Sequence, residues 1–335
     1  MTTDAELPAG LEPGLRFAVL LCHDGSVRDL RWQEVRDWLP EQGFLWVHLE
    51  RDDPVAQDWV RGRAGLDPLL ALSLLTEDAR PRVEDFDDGL LVVLRGVDKS
   101  ATDDATGLVP IHIWVDARRC LTLRDKAHSI AALRDLRVGL MVGRGPRTPG
   151  GLLSHIAERV IDHVGTLIEE MEDGVSALED RMGEVGGASD LRLEISAARR
   201  QAVQLRRYLA PQREAFYRLQ HDDAPWLDIE SKLRLREVND RLTRHLEDID
   251  ELRHRATILN EDFTNMLAER SAQASNRLTA LAALVLPPSL IAGLLGTNIG
   301  GIPGAQEPLA FVWLCVLVLG MMPLSWLVLR LLKWL

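Results

Sequence analysis

Cysteine, tyrosine and positive charge are all scarce in this chain. Its 335 residues hold three cysteines (Cys22, Cys120 and Cys315), two tyrosines, and 39 Lys or Arg against 51 Asp or Glu. The cysteines make no Cys-X-X-Cys pair and are too dispersed for a disulfide framework, which suits a reducing cytosolic setting. A net charge of −12 argues against a nucleic-acid partner, which needs a basic face for phosphates, and suits a protein that attracts cations. There is no Gly-X-Gly-X-X-Gly or Walker phosphate loop and no Ser/His/Asp or Cys/His nucleophile signature, so an enzyme is not expected. The nine histidines include no i,i+4 pair and no nearby cysteine, so a closed zinc cage within one chain is not expected either.

What is present is unevenly spread. Between Leu278 and Leu329 the only formal charge is Glu307, whereas the chain before Arg277 is densely charged. The first apolar run, LTALAALVLPPSLIAGLLG at 278–296, would span about 28 Å as a helix, close to the ~30 Å of a hydrocarbon core. The second, at 309–329, is also long enough. A pair of buried helices in a soluble core is the bland alternative. The first residues, MTTDAELPAGLEPG, are acidic and without an apolar run, so no secretory leader is expected.

Arg270 and Arg277 precede the first span, Arg330 and Lys333 follow the second, and the loop at 297–308 has no Lys or Arg. The excess of basic residues on one side places both termini in the cytoplasm and the loop outside. Trp313 and the Trp326/Trp334 pair stand near opposite ends of the second span, as interface anchors or as ordinary lipid-facing side chains. Pro287, Pro288, Ser289, Gly293 and Gly296 interrupt the first span. Small and polar groups there call for a partner surface or water, so the first span is expected innermost in an oligomer and the second toward lipid.

The expected class is an α+β membrane protein with three parts: a cytosolic α/β domain over 1–149, a helical stalk region over 150–277, and a transmembrane region over 278–335. Runs at 15–22, 43–50, 89–97 and 112–124 are β-rich, with helical stretches at 30–39 and 68–76 between them. From about Gly150 the pattern is helical. One stripe runs Val160, Val164, Leu167, Met171, Val175, Leu178, Met182. Gly183 to Gly187 breaks it, and a second helix runs from Ser189–Asp190 to near Asp222. A third begins near Pro225 with the seam Val238, Leu242, Ile249, Leu252, Ala256, Leu259, Phe263, Met266, and continues to Gly296. His245 falls in that seam, as a metal ligand, a pH sensor or simply a packed histidine. The acidic run Glu169, Glu170, Glu172, Asp173, Glu179, Asp180 either concentrates cations or is a solvated face.

The loop after the first span reads GTNIGGIPGAQEP. A Gly-X-Asn tripeptide, Gly296-Thr297-Asn298, closing the first of two C-terminal spans resembles the CorA metal-ion transporter family, whose usual tripeptide is Gly-Met-Asn. The Ile-Gly-Gly-Ile-Pro-Gly at 299–304 resembles the zinc-transport branch, ZntB. WVHLE at 46–50, RPRVEDFDDGLLVVLR at 80–95, WVDARRCLTLR at 114–124 and LRRYLAPQR at 205–213 also look like family segments.

That resemblance implies a homopentamer in the cytoplasmic (inner) membrane, with five stalk helices lining one pore and five copies of Asn298 at its outer mouth. Amide oxygens can hydrogen-bond the water shell of a dication without stripping it, though a plain helix cap is the alternative for Asn298. It places Ser275, Leu278, Leu286 and Ser289 on the axial face, the leucines as dewetting constrictions and the serines as hydroxyl rings. Glu307 is an external cation lure or an innocuous loop residue. The expected function is divalent-cation transport, with Zn2+ uptake favoured and proton-gradient coupling implied by the branch. No cofactor is expected, and Mg2+, Co2+ or Ni2+ are other cargoes. The alternatives are a Mg2+/Co2+ channel gated by cytosolic ion binding, and a membrane-anchored scaffold with a degenerate pore. Thr297 in place of Met leaves selectivity open.

Overall fold

In the computed structural model the described residues are 13–77, 80–86, 88–98, 106–182, 188–297 and 307–331. The chain divides into two compact units, Met1–Leu259 and Asn260–Leu335.

The first unit is built on a seven-stranded mixed sheet. Its strands are β1 (Leu15–Leu21), β2 (Val27–Asp29), β3 (Phe44–Glu50), β4 (Arg82–Phe86), β5 (Gly89–Val97), β6 (Leu108–Asp116) and β7 (Arg119–Arg124). They lie in the order β2-β1-β3-β7-β6-β5-β4. Only β3 and β7 run parallel; the other neighbours are antiparallel. The expected single run over 112–124 is a hairpin. Asp116 Oδ1 accepts the backbone N–H groups of Arg118 (2.7 Å) and Arg119 (2.9 Å), which turns the chain at Ala117–Arg118. β5 is buried along its whole length, as an inner strand covered on both faces must be.

One face carries Ala18, Leu45, Val47, Leu91, Trp114 and Leu121, packed with residues of three short helices. These are α1 (Trp32–Arg36), α2 (Pro54–Asp58) and α3 (Pro68–Leu75). Asp53 and Asp67 cap the last two by accepting from Val55 and Leu69 N–H (2.8 and 2.7 Å), each followed by proline at the first helical position. The other face meets α4 (Ala131–Met141), α5 (Pro149–Met182) and α6 (Ala188–Gln220). The expected stripe on α5 is buried at Val160, Val164, Met171, Val175 and Leu178, with Ile168 replacing the half-buried Leu167. Residues 183–187 lie outside the described residues.

α7 (Ile229–Leu295) is one helix of 67 residues, about 100 Å long at 1.5 Å per residue. It starts later than expected because Asp228 caps it, accepting from Ser231 N–H at 2.7 Å. Within the first unit, ion pairs Arg234–Glu158 (3.3 Å), Arg241–Asp162 and Arg255–Glu179 (2.6 Å) link it to α5 in parallel register, and Arg206–Asp250 (2.8 Å) links it to α6. Such half-exposed pairs are worth at most about 1 kcal/mol each; they specify register, while the seam from Leu235 to Leu259 supplies the burial. In the second unit α7 ends and α8 (Ala310–Leu331) follows. Both helices are long and apolar enough to cross a membrane.

Two histidines lie inside the sheet. His48 Nδ1 meets Thr122 Oγ1 at 2.9 Å, while Arg124 Nε donates to its Nε2 at 3.3 Å. His112 is fully buried, and neither ring nitrogen has a partner among the described residues. Burial, followed by nearby guanidinium charges, pushes both down to about 3. Each is thus neutral when folded but protonates near 6.5 when unfolded. The stability they contribute is full above about pH 6.5 and drains as pH falls toward 3, at up to about 1.4 kcal/mol per pH unit for each. His112→Leu removes an orphaned polar ring costing about 1–3 kcal/mol. The variant's melting temperature in detergent should therefore exceed the parent's, and by more at pH 5 than at pH 7.5. A uniform drop at both pH values would show that the imidazole is needed for packing.

Candidate functional site

The apolar end of α7 has two unlike faces. At 100° per residue, Ser275, Leu278, Ala282, Leu286, Ser289 and Gly293 fall within an arc of about 80°. All six are exposed in the single chain, Leu278 at 68% and Leu286 at 64%. The less exposed residues, Ala280, Ala283, Leu284, Pro287, Pro288 and Ile291, lie on the far side. α8 carries its own half-buried stripe, Ala310, Leu314, Val318, Met321 and Ser325, and none of its described residues is fully buried. The helix therefore has a sheltered side and an arc of small, hydroxylated and leucine side chains with nothing upon it.

The arc is uncharged. Ser289 Oγ donates to Val285 O at 2.8 Å and Thr279 Oγ1 to Ser275 O at 2.9 Å, so the helix's own carbonyls take up their protons and the hydroxyl lone pairs face outward. Helix α7 runs through Pro287 and Pro288. Neither has an N–H, which leaves the carbonyls of Ala283 and Leu284 without their i+4 donor. In lipid such groups need water or a neighbouring chain. Gly296 N–H still donates to Ala292 O (3.0 Å) and Thr297 Oγ1 caps Leu294 O at 2.8 Å. Gly296 is thus the final helical turn, with its backbone in the ordinary helical hand. Asn298 and the motif at 299–304 lie outside the described residues, as do Lys333 and Trp334. Glu307 is exposed, and its carbonyl accepts Ala310 N–H at 3.1 Å, opening α8.

His245 lies far from this arc in sequence and belongs to the first unit. Leu246 occupies the seam instead. The His245 ring lies over Gly165, where an added Cβ would come within 3.1 Å of Nε2. Burial lowers its pKa, with Asp248 at 3.6 Å acting against that. Among the described residues no three His, Cys, Asp or Glu side chains gather to hold a metal. Within the acidic run, Glu179 is committed to Arg255, whose hydrogen bonds hold its carboxyl below the usual range. The arc itself presents only neutral dipoles.

Over residues 41–331 the sequence matches the family described as CorA-like Mg2+ transporter protein. It is 35% identical over 330 residues, 98% of each chain, to the divalent cation transporter CmaX of Pseudomonas aeruginosa. It is 31% identical over 273 residues, 82% of each chain, to the zinc transport protein ZntB of Pectobacterium atrosepticum. The solved structure of full-length CmaX has a TM-score of 0.82 at 34% identity, covering 97% of this chain and 100% of that one.

Ser289 lies on the open arc and Leu284 on the sheltered side. With Cys22, Cys120 and Cys315 replaced, Ser289→Cys should react with a water-soluble, membrane-impermeant thiol reagent, and Leu284→Cys should not. Equal labelling of the two in intact membranes would refute the division of the helix into two faces.

Proposed function

The chain belongs to the CorA family of metal-ion transporters, a divalent-cation transporter and not an enzyme, and from that premise we propose that it carries hydrated Zn2+ into the cell through a homopentameric pore. The observation that carries the reading is the uncharged arc from Ser275 to Gly293, which leads into Gly296-Thr297-Asn298. From Leu278 to Thr297 it offers no carboxylate, imidazole or thiolate. An ion that enters is held through its water shell, weakly enough to leave.

Several features support assembly around an axis. Between Phe263 and Ala280 helix α7 has no buried residue, an exposure that neighbouring copies of the same helix would relieve. Five such helices would bring the Leu278 and Leu286 rings inward as dewetting barriers and the Ser275 and Ser289 hydroxyls as wet rings between them. Asn298 would crown the mouth with five amide oxygens. Arg270, Arg277, Arg330 and Lys333 support cytoplasmic termini, with Glu307 in the outer loop and the inner membrane as the site of residence. The region boundaries at 149/150 and 277/278 belong to the same reading. His245 serves packing in this scheme.

Zinc is favoured by the 299–304 motif and by the ZntB relative. The family's own description favours Mg2+, and that is the second reading, a channel gated by cytosolic ion binding. Proton coupling that accompanies zinc would not use an intramembrane carboxylate or histidine relay, since neither residue type lies within the spans.

In proteoliposomes, Zn2+ uptake should exceed Mg2+ uptake and rise with an inward proton gradient; the reverse preference would select the second reading. Asn298→Ala should lower uptake by at least about tenfold, the loss that ~1.4 kcal/mol of attraction represents, with oligomer size unchanged. Parent-rate uptake would reduce Asn298 to a helix cap. Leu286→Ser should raise basal leak at equal reconstitution, and an unchanged leak would place the barrier elsewhere.

A further inference from the structure

The first unit contains a cavity of about 360 Å3 at one end of the sheet. It lies among the β1–β2 turn, the start of β3, the β6–β7 turn and the loop between α4 and α5. Arg118, Arg144 and Arg147 line it, with His23 beside them, and no Asp or Glu does. In a chain of net charge −12 such a lining stands out. Arg118 and Arg144 make no side-chain ion pair among the described residues, whereas thirteen other arginines each meet a carboxylate within 3.5 Å.

The cavity is built rather than incidental. Arg147 Nη1 donates to Gly25 O at 2.8 Å, tying the α4–α5 loop to the β1–β2 turn across 122 positions. A side chain at Gly25 would collide with that guanidinium. Gly145, at φ +146°, lets the loop fold back over Leu140, which an added Cβ would meet at 2.8 Å. The nearest carboxylate on the turn, Asp24, is held by Ser26 N–H and Oγ (2.8 and 2.6 Å) and does not line the space. Leu21, Val27, Phe44 and Leu140 provide the apolar wall.

We propose that this cavity binds a nucleoside mono- or diphosphate, with Arg118 and Arg144 taking the phosphate oxygens and the apolar wall taking the base. The guanidinium fork matches phosphate oxygens two at a time, and the volume lies within the range of small-molecule sites. Three fixed positive charges against two or three negative ones give near-neutrality on binding, which a free inorganic anion would also achieve. The wall distinguishes the two sources. This inference is independent of which cation is carried.

Isothermal titration of the full-length chain in detergent, with chelator present to remove divalent cations, tests it. ADP should bind more tightly than pyrophosphate, and adenosine not at all. Arg118→Gln with Arg144→Gln should weaken ADP by at least about tenfold, equivalent to about 1.4 kcal/mol. Arg192→Gln with Arg199→Gln, exposed on α6, changes net charge equally and should leave ADP affinity as in the parent. Melting curves of both double variants should match the parent's in the absence of ligand. No ADP binding by the parent, or equal weakening in both double variants, overturns the site. Pyrophosphate binding as tightly as ADP overturns the nucleoside assignment.

Discussion

The backbone of a membrane-crossing segment must satisfy its own hydrogen bonds, and α7 meets that requirement with a single ladder that begins among charged residues and ends among apolar ones. A loop at the boundary would leave N–H and C=O groups with neither water nor partner, each costing several kcal/mol in lipid. The helix therefore continues without interruption from Ile229 to Leu295. The exceptions to the ladder are two adjacent prolines, Pro287 and Pro288. Their freed carbonyls, on Ala283 and Leu284, lie on the sheltered side of the helix.

The same constraint explains how charge is distributed. Arg234, Arg241 and Arg255 are spaced at seven and fourteen residues and meet Glu158, Asp162 and Glu179 on α5. Such pairs are weak in water and fix the register in which the apolar seam is buried. Among the described residues no such pair follows Arg255 along α7, and from Leu278 to Thr297 the helix carries no formal charge, which hydrocarbon would penalise. In the proposed pore the arc's neutral dipoles would hold a dication through its water, letting it pass while discriminating little among small dications.

Much of the fold was legible because helical and strand periodicities are strong in long segments. The α5 stripe and the α7 seam were read nearly residue by residue. The failures have physical causes. β2 and β4 are short edge strands, VRD and RVEDF, whose charges face solvent and mask any alternation. The run over 112–124 looked continuous because its turn is made by Asp116 reaching the next two N–H groups, a side-chain effect that composition does not reveal. His245 fell in the seam by spacing, yet Gly165 on the facing helix has no side chain, so the ring tips over it and Leu246 takes the buried place. The arginine-lined cavity draws on four segments between positions 21 and 149; only the sheet brings them together, and the one local sign was the Gly- and Arg-rich GRGPRTPGG.

One chain alone leaves too much uncovered for the reading to stop there. Across the exposed stretch between Phe263 and Ala280, Leu267 and Leu278 stand open at 44% and 68%. Lone exposed leucines are ordinary on a soluble surface; here they recur on a helix that also carries Ser271, Ser275 and Ala282 on the same side. Small residues in that pattern let helix backbones approach closely, and the apolar ones then meet across the axis. Lipid would satisfy the leucines but not the hydroxyl lone pairs, while bulk water would satisfy the hydroxyls but not the leucines. A narrow space shared by several copies, wet in some layers and dry in others, would suit both. The alternation along the arc thus supports the proposed assembly around a pore.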